Sequence, residues 1–434
     1  VSPRLSDAGP PLHPSPSELP GRGPLLIAFS GGPDSVCLAQ ELKRSTTPRE
    51  LICVHVDHAL DEHSATRARQ AADLAAALDL PCRVERLQLP RQGNVEARAR
   101  EARYAALQRH MDAETTLLTA HHRDDQIETV LLRLLRGAGP AGLAGIPRLR
   151  RLGPGWLARP LLDWSREQIL DRLRDLDLNW IEDPSNTLSH FDRNFLRQDI
   201  LPSLRERWPG LDRAILRSAR LAGAAAEELE AFAERDLADC LGEAGCLRLD
   251  RLQSLSSYRQ AQLLLSWCDR LGLPRPPGRR LDSLIEQLAE ARADRQPELR
   301  WSGLALRAWR SGLWLDVESW PQDYTLDWPP GEPLQLPPPL GVLRLNGTSR
   351  LPGLTVSSGR AGERFRPRPD GPRRLVQQWL AERDIPPWSR TAWPRIRLDD
   401  QLVALGTDWL DPGFADRLAA EGLELRWDRL DFAP

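Results

Sequence analysis

Residues 28–36 read AFSGGPDSV, a Ser-Gly-Gly turn closing on an aspartate and a second serine. The apolar run LLIAF (25–29) leads into it, and DSVCLAQELKR (34–44) follows with apolar residues at helical spacing. A strand that turns abruptly into a helix exposes backbone N–H groups at the positive end of the helix dipole, and that is an anion site. Gly31 and Gly32 let the backbone approach an anion with no Cβ in the way, and Ser30 and Ser35 add hydroxyl donors. No Walker Gly-Lys-Ser/Thr follows, and no dinucleotide Gly-x-Gly-x-x-Gly. Asp34 would repel a bare anion; a Mg²⁺ bridging its carboxylate to pyrophosphate oxygens removes that conflict. The plainer alternative is a tight turn capped by Asp34 or Ser35, and the flanking strand and helix favour phosphate over it.

Outward from the loop the pattern repeats. LICVHVD (51–57) leads into SATRARQAADLAAALDL (64–80), and TTLLTAH (115–121) into DDQIETVLLRLLRG (124–137), each a strand and then an amphipathic helix. Apolar strands separated by helices predict a doubly wound α/β domain, its parallel sheet covered on both faces. Ligands in such sheets bind beyond the carboxyl ends of the strands, where both SGGPDS and HHRDD fall. After Leu162 the chain turns mostly helical: Ser165 and Gln168 form a capping box, and a long helix is predicted from about Pro209 to Leu237. The expected organisation is a disordered Pro/Ser/Gly-rich tail over 1–23, a catalytic domain over 24–210 and a mostly helical middle domain over 211–320. A linker rich in proline over 321–341 and a small α+β domain over 342–434 complete it.

The 434 residues exceed what one compact core needs, and 41% hydrophobic with 28% charged residues is ordinary for a soluble globular chain. No apolar run is long enough for a bilayer, and the first residues lack the apolar core of a signal peptide, so a cytoplasmic protein with no membrane partner is expected. The six cysteines include no Cys-x-x-Cys pair, which points away from a disulfide framework and from a zinc or iron–sulfur site. Lys43 is the single lysine, which reads as a codon bias toward arginine, and the net charge of −2 argues neither for nor against nucleic acid.

The SGGPDS loop resembles that of the PP-loop ATP pyrophosphatase superfamily, whose sheet is of the adenine nucleotide alpha hydrolase-like type. Five further stretches narrow the resemblance: HVDHAL (55–60), VEARAREARY (95–104), TAHHRDDQIETVLLRLLRGAGPAGLAGI (119–146), RPLLDWSREQI (159–169), and EDPSN with DRNFLR (182–197). Their order and spacing are similar to those of the tRNA(Ile)-lysidine synthase family. The likeness is dense from about Leu25 to Leu237 and fainter in GERFRPRPDGPRRLVQQWLAERDIPPWSRTAWPRI (362–396). Ala59 and Asp61 stand where the family usually has Gly and Arg, and Arg373 and Arg374 where it has lysines.

The resemblance implies replacement of the 2-oxo group of the wobble cytidine in a CAU anticodon of tRNA(Ile) by the ε-amine of free L-lysine, with ATP and Mg²⁺. It further implies roles for particular residues. Ser30, Gly31, Gly32, Pro33, Asp34 and Ser35 would hold the triphosphate, with Asp34 on the Mg²⁺. His121 and Asp125 would orient ATP or the activated base, and Glu128, on the same helix face as Asp125, would bind the lysine ammonium or accept its proton. Arg100 and Arg193 would steady charge at phosphorus and on the base oxygen. The family is often dimeric, and a homodimer is one possible assembly. Arg364, Arg373, Arg374 and Arg390 would grip tRNA, within a run of arginines from Arg360 to Arg397 interleaved with Trp379, Trp388 and Trp393. That run reads equally as an RNA surface or as a charged surface over core tryptophans, and the resemblance favours the first. A tRNA thiolase would want paired cysteines that this chain lacks, and an RNA-binding protein without catalysis would have no use for an intact SGGPDS.

Overall fold

The computed structural model describes residues 9–45, 47–57, 64–87, 95–182, 192–242, 245–290, 296–329, 331–347, 351, 353–366 and 371–429, with the backbone alone for 95–100. The chain divides into two compact units, Val1–Glu228 and Leu229–Pro434.

The first unit is built on a six-stranded sheet. Its strands are β1 (Leu25–Ala28), β2 (Leu51–Asp57), β3 (Cys82–Arg86), β4 (Thr116–Leu118), β5 (Leu149–Leu152) and β6 (Gly155–Ala158), in the order β3-β2-β1-β4-β6-β5. β1 lies parallel between β2 and β4, with Ala28 opposite Val54 and Ile27 opposite Leu118. Strand order reverses at β1, so the crevice beyond its carboxyl end is where a ligand fits. The helices are α1 (Pro33–Arg44), α2 (Ser64–Ala77), α3 (Val95–Gln108), α4 (Arg123–Leu135), α5 (Pro140–Leu143) and α6 (Arg166–Asp175).

Alternation along β1 explains the layering. Leu25 and Ile27 join one core with Leu38 and Leu42 of α1, Ala71 of α2 and Ile169 of α6, whereas Leu26 joins a second core with Ile52, Leu107 of α3 and Leu117. A strand buried on both faces must be apolar throughout, as LLIA is. The sheet departs from an all-parallel arrangement at one edge, where β5 and β6 form an antiparallel hairpin turned at Gly153 (φ +55°). The capping box at α6 is formed: Gln168 N–H donates to Ser165 Oγ at 3.1 Å, and Ser165 N–H to Gln168 Oε1 at 2.9 Å.

Residues 9–23, expected to belong to a disordered tail, pack on this unit instead. Leu19 is buried, and Thr116 Oγ1 donates to the Pro20 carbonyl at 2.6 Å. The long helix expected from about Pro209 runs over Leu211–Cys240.

In the second unit, helices Ser257–Arg270 and Gly278–Glu290 share a core with strands Glu298–Trp301, Leu304–Trp309 and Gly312–Val317. Beyond it stand a five-stranded, a three-stranded and a two-stranded antiparallel sheet, with helices Val376–Ala381 and Pro412–Ala420. Part of the stretch read as a linker is regular: Thr325–Trp328 pairs with Leu354–Ser357 as the edge of the five-stranded sheet, and Leu334–Gln335 pairs with Val342–Asn346. The prolines of WPQDYTLDWPPGEP lie outside the strand, and an edge position tolerates them nearby. All six cysteines are free, and burial pushes the Cys37 and Cys53 thiols up to about 12, the behaviour of small core hydrophobes. Among the described residues no helix is long and apolar enough to cross a membrane.

Candidate active site

The Ser-Gly-Gly turn is held by its own side chains. Ser30 Oγ lies 3.1 Å from Ser35 Oγ and accepts from Gly32 N–H at 3.2 Å, while Ser35 Oγ donates to the Gly32 carbonyl at 3.0 Å. Gly31 has φ +79°, and a Cβ there would stand 2.5 Å from Ile181 Cδ1; its carbonyl accepts from Ile181 N–H at 2.9 Å. Glycine is therefore required at 31 by both backbone and space. Gly32 caps α1 and Pro33 occupies its first turn, where a missing N–H costs nothing.

This loop opens on a cavity of about 610 Å³ whose wall includes Ser30, Asp34, His122, Asp125, Arg166 and Arg197. His122, fully buried just before α4, sits with Nε2 3.8 Å from Asp34 Oδ1 and 3.6 Å from Asp125 Oδ2. The two acids are pushed apart electrostatically. Burial raises the Asp34 carboxyl above its ordinary range against the pull of His122 and Arg166. Burial pushes Asp125 up as well, but His122, Arg193 and His121 outweigh it and hold the group low. Opposite shifts on neighbouring acids are a mark of functional sites.

A second layer aims the arginines. Glu128, 0% exposed, accepts from Arg193 Nε at 2.7 Å and from Arg197 Nε at 2.7 Å, and Arg193 Nη2 reaches Asp125 Oδ1 at 3.1 Å. Arg193 lies in the helical turn Asp192–Phe195 and Arg197 in the π-helical turn Leu196–Ile200, so two guanidinium groups four residues apart converge on one carboxylate. Behind them Asp124 accepts from Arg166 N–H at 2.9 Å and from Arg205 Nη2 at 2.7 Å, which ties α6 to the start of α4.

The residues fit a Mg²⁺–nucleotide. Asp34 Oδ1 is buried with no hydrogen-bond partner among the described residues, an oxygen ligand left open in a cavity that also presents arginine. No group of three or more potential metal ligands occurs among the described residues.

Comparison with known proteins extends this geometry. A PP-loop domain model matches residues 15–204, a TilS substrate binding domain model 247–314 and a TilS substrate C-terminal domain model 354–427. The tRNA(Ile)-lysidine synthase of Xanthomonas campestris is 36% identical over 93% of this chain and 95% of its own length. That of Alkalilimnicola ehrlichii is 38% identical over 87% of this chain and 88% of its own. The chain belongs to the tRNA(Ile)-lysidine synthase family. It is an enzyme with a PP-loop nucleotide-binding domain of the kind that uses ATP. Among solved structures, the U34-tRNA thiolase NcsA of Methanococcus maripaludis matches 48% of this chain and 74% of its own, at 19% identity and TM-score 0.40.

Within this lysidine synthase family member, Asp34 and Asp125 line the cavity, and Arg193 and Glu128 stand directly behind it. His121 stands beside the wall, its Nδ1 2.9 Å from Thr119 Oγ1 and its charge acting on Asp125, while its neighbour His122 is part of the wall itself. Glu128 differs from expectation too, because it is fully buried outside the cavity wall with arginines on both its oxygens. Arg100 lies on α3 with its side chain outside the described residues, as are residues 183–191, 58–63 and hence Ala59 and Asp61. Arg197, Arg166 and His122 were missed; the first stands in DRNFLR, four residues beyond Arg193, a spacing that placed it on the same face.

In the second unit Arg364 and Arg373 are exposed, Arg374 is paired with Glu382 beside the Trp379 ring, and Arg390 Nε donates to the Ile385 carbonyl at 2.8 Å. Trp379 and Trp393 are core residues, and Trp388 Nε1 donates to Asp316 at 2.8 Å. Trp379 and Trp393 are thus packed inside this unit, and Trp388 is half-buried. Arg395 is wholly buried against Glu363 and Arg397 pairs with the same acid, so these two are structural.

Proposed function

We propose that this enzyme joins the ε-amine of free L-lysine to C2 of the wobble cytidine in the CAU anticodon of tRNA(Ile), through an adenylated cytidine, releasing pyrophosphate and then AMP. The reading is carried by one observation: the SGGPDS loop opens on a cavity holding an Asp34 oxygen with no hydrogen bond among the described residues, together with Arg166 and Arg197, in a chain aligned with lysidine synthases along almost its whole length.

The oxygen on C2 cannot leave as oxide. It first attacks the α-phosphorus of ATP and expels pyrophosphate; the lysine nitrogen then attacks C2, the C2–O bond breaks, and AMP departs with the oxygen. Ser30 to Ser35 cradle the phosphates, and Arg166 and Arg197 offset their charge. Mg²⁺, when bound at Asp34, supplies further positive charge beside the pyrophosphate. Asp125, low in pKa and facing the cavity, holds the cationic amine of lysine, and the proton that the amine must shed leaves to solvent. Glu128 keeps Arg193 and Arg197 aimed. Arg364 and Arg373 contact tRNA phosphates, with Arg374 and Arg390 helping less because they are already engaged.

The test is AMP and pyrophosphate release with Mg²⁺, ATP, lysine and a tRNA(Ile) transcript bearing CAU, beside one bearing GAU. Release with CAU alone supports the reading; release with both, or with neither, contradicts it.

A further inference from the structure

The cavity wall is of two kinds. Ser30, Asp34, Arg166 and Arg197 are polar, but Ala28, Val54, Val56 and Leu107 are apolar and belong to the core on the α3 face of the sheet. A triphosphate has no use for an apolar wall, whereas a planar base does. Polar groups stand beside that wall: Asp57, Ser64, Arg67 and Arg103 line the cavity, and so does His55, from β2, which is otherwise buried.

Its ring is fixed by the end of β1. Phe29 N–H donates to the Val54 carbonyl at 2.9 Å, and the Phe29 carbonyl faces His55 Nδ1 at 2.9 Å. A carbonyl only accepts, so Nδ1 carries the hydrogen and the neutral ring presents Nε2 as a lone pair. Burial, outweighing the Phe29 carbonyl and Asp57, lowers the pKa of His55 and keeps it neutral. Nε2 makes no hydrogen bond to any of the described residues, so this acceptor is available to a ligand.

We infer that His55 is a specificity-determining residue, its Nε2 accepting a hydrogen bond from the 6-amino group of adenine. The same atom faces the carbonyl oxygen that guanine carries at that position, acceptor against acceptor, and so excludes it. This rests on the reading of ATP as the nucleotide. The role needs no charge on the ring and no covalent step; Nε2 acts by selecting which triphosphate is seated against the apolar wall. Sequence alone gave HVDHAL no such role, because only the fold sets His55 against the Phe29 carbonyl at the end of the neighbouring strand.

The experiment measures kcat/KM for CAU-dependent pyrophosphate release with ATP and with purine riboside triphosphate, which lacks only the 6-amino group. The native enzyme should prefer ATP by on the order of ten-fold or more. H55N keeps an amide donor for the Phe29 carbonyl and removes the cavity-facing acceptor; the preference should collapse toward one, chiefly through loss of ATP activity. H55Q, which can return an acceptor near the Nε2 position, should recover part of it, and unfolding temperature checks that both variants fold. An equal preference in native enzyme and H55N overturns the assignment of His55 while leaving the ATP reading intact. A discrimination that tracks 2′-deoxy-ATP instead also overturns it, since the ribose would then be the partner. Turnover with no adenine nucleotide at all would overturn both readings.

Discussion

Replacing Asp34 by Asn should stabilise the free protein and disable it at once. Asp34 is 29% exposed in its side chain, with Oδ1 buried and without a hydrogen bond among the described residues, and burial raises its carboxyl. A raised folded pKa means that ionisation costs stability: the cost appears as pH climbs through the ordinary carboxylate range near about 3.9 and is complete above the folded pKa. An unsatisfied buried group costs about 1–3 kcal/mol. Partial exposure and the pull of His122 and Arg166 favour the low end, about 1 kcal/mol. For a unit of this size that is a rise of about 2–4 °C in the first unit's unfolding transition at pH 7, vanishing as pH falls below the carboxylate range, where Asp34 is protonated too. With Mg²⁺ and ATP at about 100 times their dissociation constant the order reverses, because native enzyme gains about 2.7 kcal/mol from binding and D34N gains little. Differential scanning with and without Mg²⁺–ATP reads both effects. A D34N protein less stable than native at pH 7 without ligand, or one that responds to Mg²⁺–ATP as native does, would refute the reasoning.

E128Q should lower pyrophosphate release by about 10–100-fold even with lysine omitted, since a neutral amide holds Arg193 and Arg197 less firmly; an effect confined to the KM for lysine would return Glu128 to direct amine binding. G31A should lose at least about 1–2 kcal/mol from its left-handed backbone alone, beyond the clash with Ile181, and pyrophosphate release should vanish; normal activity would remove the loop from the site. R373A should weaken tRNA binding and flatten its salt dependence by about 0.7–0.9 in log–log slope, more than R374A, whose guanidinium is already paired with Glu382. Equal, unchanged affinities in a binding titration would clear both from the RNA surface.

The central sheet was legible because its strands bury both faces and must be apolar: LICVHVD was read as a strand over the residues that β2 occupies. β3 was not, because CRVER is an exposed edge strand whose charged residues carry no apolar signal. Proline counting hid Thr325–Trp328, since prolines beside an edge strand break none of its hydrogen bonds. In the site, the Asp125–Glu128 spacing was visible in one helix, but what Glu128 touches was not. Its partners arrive from a segment 65 and 69 residues away, and only folding shows that they fill both its oxygens. His121 and His122 are indistinguishable by composition; one strand end and one helix start decide that His122 faces the cavity.

The most direct test of the account is to supply isotopically labelled lysine with Mg²⁺, ATP and the CAU transcript, digest the RNA and weigh the nucleoside at the wobble position. The account predicts a cytidine that has gained lysine and lost one water, with the label in it and none in the GAU transcript. An unmodified cytidine accompanied by steady AMP release, or label at any other nucleotide, would contradict it.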